Sequence, residues 1–142
     1  MKRVSVHQYF MDIADVVSRR ATCDRKHVGC VLVKDKRIIA TGYNGSMSGT
    51  SHCDDVDHLM EDGHCIRTVH AEINALAQCA KYGVSCNGST CYCNTYPCWE
   101  CFKALVNAGV KSIYYKDSYE AKAKDNVIKF SKELSIPIIK IT

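Results

Sequence analysis

Residues 70–101 read HAEINALAQCAKYGVSCNGSTCYCNTYPCWEC, and this stretch decides the fold. Ile73, Leu76, Ala77 and Ala80 recur at helical spacing as far as about Tyr82, and Gly83 supplies a stop. Thr90 to Thr95 is then a short strand. Pro97 suits the first turn of a second helix, which runs to Asn107 and ends at Gly109. Strands separated by helices pair in parallel through right-handed crossovers.

The alternation continues in both directions. Downstream, Ser112 to Tyr115 is a strand, residues 119–134 a charged helix with Val127, Ile128, Phe130 and Leu134 inward, and Ile136 to Ile141 a final strand. Upstream, residues 6–20 place Tyr9, Phe10, Ile13, Val16 and Val17 at helical spacing. Val28 to Val33 and Arg37 to Tyr43 are strands joined by a turn at Lys34-Asp35-Lys36, a hairpin. Residues 44–69 are rich in Gly, Ser, Asp and His without a clear period. A loop that long inside a domain is functional or pinned by something. The expectation is one α/β domain over residues 1–142, with a mixed sheet of about five strands and helices on both faces.

Composition narrows the function classes. With 142 residues, 46% hydrophobic and 24% charged, the chain reads as an ordinary globular protein. No apolar run approaches the roughly 18 residues of a membrane span, and the start, MKRVSVHQYFMD, lacks the core of a signal peptide. A cytoplasmic location is expected (a host cytoplasm if the source is viral). Disulfides are rare there, so ten cysteines point to a metal. The net charge of +4 is scattered, with Arg19-Arg20, Arg25-Lys26 and Lys34-Lys36-Arg37 as its densest groups. That fits an anionic small molecule better than nucleic acid, which calls for a basic stripe.

Two motifs carry chemistry. Cys98 and Cys101, three apart at a helix start, lie on one face and can grip one ion. The helix N-terminus favours the thiolate that binds zinc. His70, at the neighbouring helix start, would be the third ligand, leaving a fourth position open to water as in catalytic zinc sites. Glu72 lies two residues on, within reach of that water. Two thiolates already neutralise the metal, so a nearby base is useful, and Glu72 fits. A lone Cys-x-x-Cys could equally be a redox dithiol, but such a pair needs no His-x-Glu upstream.

The pattern His-x-Glu followed by Pro-Cys-x-x-Cys is the signature of zinc nucleobase deaminases. From about residue 5 onward the chain resembles the cytidine/deoxycytidylate deaminase superfamily, and within it the deoxycytidylate (dCMP) deaminases. Val28-Gly29, Thr41-Gly42-Tyr43-Asn44-Gly45, His70-Ala71-Glu72 and Pro97-Cys98-x-x-Cys101 carry the resemblance. It implies a cytidine deaminase-like three-layer α-β-α fold with the last strands parallel, where free-cytidine deaminases use a hairpin. It implies hydrolytic deamination of dCMP to dUMP and ammonia, which feeds thymidylate synthesis, with Glu72 moving the protons. It also implies a homo-oligomer, a hexamer in many members, activated by dCTP and inhibited by dTTP with Mg2+. Tyr43, Asn44 and Gly45, and Asp54 in Cys53-Asp54-Asp55, resemble the effector-binding motifs, though other members differ around the second of these. Asn44 either contacts nucleotide or closes a turn. Tyr119, at the start of the last helix, is a candidate for the 5′-phosphate or a surface residue. The alternatives are a tRNA adenosine, cytidine or free-base deaminase, a DNA-uptake-associated deaminase homologue, and a non-enzymatic zinc module, which would leave Glu72 unexplained.

The remaining soft donors suggest a second site. Cys23, Cys53, His58 and Cys65 could form a closed structural zinc centre that orders the polar loop, with His64 as the substitute ligand. The other possibility is a mobile loop with incidental His and Cys. Cys30, Cys79, Cys86, Cys91 and Cys93 lack ligand spacing and read as ordinary thiols.

Overall fold

The computed structural model describes residues 2–24, 26–118 and 124–141. The elements in chain order are α1 (Val6–Ser18), β1 (Gly29–Lys34), β2 (Arg37–Tyr43), β3 (Gly45–Ser46), α2 (Cys53–Val56), β4 (Met60–Glu61) and β5 (His64–Cys65). Then follow β6 (Thr68–Val69), α3 (Ala71–Tyr82), β7 (Thr90–Thr95), α4 (Trp99–Asn107), β8 (Ser112–Asp117), α5 (Lys124–Glu133) and β9 (Ile138–Lys140). Residues 119–123 of the expected last helix, with Tyr119, lie outside the described residues. No helix among those described is long and apolar enough to cross a membrane.

The main sheet has the order β2-β1-β7-β8-β9. β1 runs antiparallel to both of its neighbours, whereas β7, β8 and β9 are mutually parallel, as the alternation of strands and helices predicts. The β1–β2 turn places Asp35 and Lys36 at φ 52° and 61°, the left-handed pair that a two-residue hairpin needs. Both faces of the sheet are covered. Val31, Val33 and Tyr92 pack under Phe10, Met11 and Ala14 of α1. Leu32, Cys91, Cys93 and Ile113 pack under α3, α4 and α5, where Ala75, Phe102, Leu105 and Val127 are buried.

The helices are where expected, but their faces are turned. In α1 the buried residues are Phe10, Met11, Ala14 and Ser18, while Tyr9 and Val16 are exposed. In α3 they are Ala71, Glu72, Ala75 and Cys79, while Ala77 and Ala80 face outward. In α5 only Val127 of the four residues expected inward is fully buried; Ile128 and Leu134 are exposed. Glycines on the sheet explain the first two. A Cβ on Gly29 would collide with the backbone of α1 at Ala14 and Ser18, and one on Gly42 with that of α3 at Ala71 and Ala75. Each helix lies directly on a glycine, and that close approach fixes the face that meets the sheet: Ala14 and Ser18 of α1, Ala71 and Ala75 of α3.

Residues 44–69 are not irregular throughout. β3 pairs with β6, Gly45 opposite Val69, and so joins the two ends of the segment. α2 is a single turn, and β4 and β5 form a hairpin around Asp62 and Gly63, both at positive φ. Asp-Gly between two short strands is a hairpin signal that was legible in the sequence.

Candidate metal centre and substrate cavity

Because β1 is antiparallel to β2 and β7, its start lies beside both their ends: Gly29 faces Tyr43, and Cys30 faces Cys93. The chain leaving β2, the chain entering β1 and the chain leaving β7 for α4 therefore meet at one edge of the sheet. The His70 N-cap of α3 and the Cys98 N-cap of α4 open onto this edge.

There His70, Cys98 and Cys101 bring their donor atoms within 4.8 Å of one another. His70 Nδ1 lies 3.3 Å from Cys101 Sγ and 3.5 Å from Cys98 Sγ. Tetrahedral coordination at ordinary zinc bond lengths separates N from S by about 3.6 Å, so the triplet fits a zinc ion. The Cys101 backbone N–H points at Cys98 Sγ, 3.5 Å away. The Cys98 thiol is held down at about 4, first by a hydrogen bond with the Cys101 side chain and then by His70 and that N–H, against the opposing effect of burial. Cys101 is pushed far up in turn by sharing a proton with Cys98.

Glu72 is 4% exposed in the first turn of α3. Burial raises its pKa, the nearby Cys98 raises it further, and hydrogen bonding pulls the other way. A raised pKa makes this carboxyl a stronger base toward a neighbouring proton donor than an ordinary carboxylate.

A cavity of about 410 Å³ opens over His70, Glu72 and Cys98, a volume that suits a small ligand. Its wall also includes Asn44 and two residues that sequence reasoning passed over, Lys26 and Thr95. Lys26 is held down to about 8 by burial, opposed by Cys93, Glu72 and Cys98. The backbone carrying it is gripped from two sides. Asn44 Nδ2 donates to the Lys26 carbonyl at 2.7 Å, and Asn44 Oδ1 accepts from the Val28 N–H at 2.8 Å. Asn94 Nδ2 donates to the His27 carbonyl at 3.2 Å, and its Oδ1 accepts from the Gly29 N–H at 3.0 Å. The available signal was Asn94 following the buried Cys91, Tyr92 and Cys93 in β7.

The structure gathers Cys23, Cys53, His58 and Cys65 into a second cluster, again with all donor atoms within 4.8 Å. Cys23 Sγ to His58 Nδ1 is 3.5 Å, and Cys53 Sγ to Cys65 Sγ is 3.6 Å. The tetrahedral S–S separation is about 3.8 Å. His58 turns its other nitrogen, Nε2, to Asp24 Oδ1 at 3.0 Å, the orientation typical of a ligating histidine. Burial raises Cys53 to about 12; burial also pushes Cys65 up, but hydrogen bonds, chiefly from the backbone at Arg67 and Leu59, bring it down to about 6. His64 stands outside this cluster and lines the cavity instead, beside Cys65 and Cys23. Of the residues expected to meet nucleotide, Asn44 lines the cavity. The Tyr43 carbonyl accepts from Asn74 Nδ2 at 2.8 Å, Gly45 is buried in β3, and Asp54 is exposed on α2.

Residues 4–117 match the cytidine and deoxycytidylate deaminase zinc-binding region. The chain belongs to this deaminase family. Among its relatives, the ComE operon protein 2 of Bacillus subtilis is 48% identical over 120 residues, covering 84% of this chain and 64% of the relative. The deoxycytidylate deaminase of Schizosaccharomyces pombe is 36% identical over 125 residues, 82% of this chain and 38% of the relative. The chain thus spans less than two thirds of these curated relatives. The dCMP deaminase of cyanophage S-TIM5, in complex with dCMP and dUMP, superposes with a TM-score of 0.83 at 32% identity, covering 99% of this chain and all of that one. The deaminase fold agrees with the mixed five-stranded sheet and its parallel β7, β8 and β9.

Proposed function

We propose that this deaminase converts dCMP to dUMP and ammonia, using a zinc ion held by His70, Cys98 and Cys101. The observation that carries this reading is a buried carboxyl, Glu72, beside a two-sulfur, one-nitrogen donor set that opens onto a nucleotide-sized cavity. The yeast and cyanophage relatives named for dCMP support the choice of substrate. Zinc supplies Lewis acidity that makes water a nucleophile near neutral pH. The chain's own residues do the rest. Glu72 takes a proton from the attacking water and passes it to ring N3, then takes the second from the new C4 hydroxyl and delivers it to the departing amine, which leaves the C4 carbonyl of dUMP.

Glu72→Gln is the test. Ammonia release from dCMP should fall by about 10²- to 10⁴-fold, the usual weight of general acid–base catalysis, while zinc content stays at the wild-type level. Full activity of Glu72→Gln would refute the mechanism. A panel of dCMP, CMP, deoxycytidine and cytidine tests the substrate.

The same reading includes a second, structural zinc at Cys23, Cys53, His58 and Cys65, supported by the four-donor geometry and by Asp24 behind His58. It also includes a homo-oligomer and dCTP/dTTP effectors with Mg2+, on the strength of the family resemblance. Sedimentation and turnover with each triphosphate test these two points.

A further inference from the structure

The two clustered histidines are held in different ways. His58 turns its Nε2 to Asp24, so a side chain orients its ring. His70 is exposed, and its Nδ1 faces Cys98 and Cys101. Its Nε2 meets no hydrogen-bond partner among the described residues. It is the N-cap of α3, yet its side chain makes no capping bond. The direction of this ring is therefore set from the backbone, by the peptide joining Val69 to His70 and by the first turn of α3.

One side chain reaches that peptide. Asn74 is half-buried, one turn into α3, and its backbone N–H donates to the His70 carbonyl at 2.9 Å. Its Nδ2 donates to the Tyr43 carbonyl at 2.8 Å and to the Val69 carbonyl at 3.4 Å. A side-chain amide has two N–H donors, one for each carbonyl. Tyr43 precedes the segment 44–69 and Val69 closes it, so one amide ties both ends to the helix that carries Glu72. We infer that Asn74 is a positioning residue for His70, holding the peptide from which this zinc ligand projects. The inference rests on the zinc triplet of the proposed function. The competing role is plain support of the fold. Gln78, one turn further along α3, provides the comparison: its Oε1 accepts from the Thr41 N–H at 2.9 Å, a tie from the same helix to β2 that touches neither end of the segment.

The test uses the zinc-loaded full chain with Asn74→Ala, Asn74→Ser and Gln78→Ala. Each is titrated with a chelator and then alkylated, because a sulfur released from zinc becomes open to alkylation. Mass spectrometry reads Cys98 and Cys101 for the triplet, and Cys53 and Cys65 for the second cluster. In Asn74→Ala the triplet sulfurs should become reactive at about 10- to 100-fold lower chelator, the usual weight of a residue that orients a metal ligand. The second cluster, and both centres in Gln78→Ala, should shift by less than about twofold. Asn74→Ser keeps one hydroxyl donor and should fall between; it carries the test if the alanine variant fails to fold. Equal shifts at the two centres, an equal shift at the triplet in Gln78→Ala, or wild-type protection of Cys98 in both Asn74 variants would overturn the assignment. The readout needs no turnover: a chain that shows the Asn74 effect at Cys98 yet releases no ammonia from dCMP would overturn the proposed function and uphold the positioning role.

Discussion

Gly42→Ala puts the link between the sheet and the site to the test. Gly42 faces α3 at the turn that carries Ala71 and Ala75, and Glu72 lies between them in sequence. An added Cβ would meet the Ala71 carbonyl and stand 2.5 Å from Ala75 N, where ordinary contact begins at 3.4 Å. The neighbouring atoms are backbone, which no rotamer change can move aside. α3 must therefore retreat by at least about 0.9 Å at its first turn, carrying Glu72 and the His70 cap with it. Overpacking of this kind costs about 1–3 kcal/mol of stability. A displacement near 1 Å at a reacting centre costs about 100-fold in turnover. Gly29→Ala is the matched control, because it pushes on α1 at Ala14 and Ser18, and α1 carries none of the triplet or Glu72. Urea melts should show comparable destabilisation for the two variants, while kcat on dCMP, followed by ultraviolet absorbance, should drop far more for Gly42→Ala. If Gly29→Ala loses as much turnover as Gly42→Ala, or Gly42→Ala keeps wild-type turnover, the glycine contact does not position the site.

Other predictions concern the metals. His58→Ala should cost one zinc per chain by elemental analysis, while His64→Ala should keep both; equal loss from the two variants would refute the ligand set. Asp24→Asn should weaken that second site about 10- to 100-fold in a chelator competition, since Asp24 orients His58. In chelator-stripped protein Cys98, held down at about 4, is already a thiolate across pH 6–8. Its alkylation rate should stay flat over that range, whereas an ordinary thiol rises about tenfold per pH unit. A rate that climbs with pH would show that Cys101 and His70 do not share a proton with it as the distances imply.

The sequence exposed the site's chemistry better than its surroundings. His70, Glu72, Cys98 and Cys101 were legible because two short motifs at helix starts specify both residue type and direction, and the strand between those helices brings them together. The helix faces were misread for a definite reason. Hydrophobic periodicity counts Tyr9, Val16, Ala77 and Ala80 as candidates for burial, whereas the close backbone approach at Gly29 and Gly42 fixes which face of α1 and α3 meets the sheet. Lys26 was read only as one of several scattered basic residues, because its place in the cavity wall depends on Asn94, 68 positions away, through hydrogen bonds to the residues beside it. Such a clamp leaves no local periodicity.

The second cluster makes most sense in terms of where residues 44–69 begin and end. The segment leaves the sheet edge at Asn44 and returns to it at His70, so any freedom in it would pass directly to the candidate metal triplet of His70, Cys98 and Cys101. β3–β6 pairing closes its neck with two short strands, which alone is weak restraint. Cys53, His58 and Cys65 come from the body of the segment, but Cys23 comes from the chain just before Lys26. A metal on these four would tie the loop to the same clamped strand entry that carries Lys26, while Cys65 and His64 complete the cavity wall. Loss of that metal is then expected to loosen the cavity and the His70 cap together, so removing it should lower activity even in protein whose catalytic zinc has been restored. Retention of full activity after selective loss of the second metal would show that the β3–β6 neck alone holds the segment.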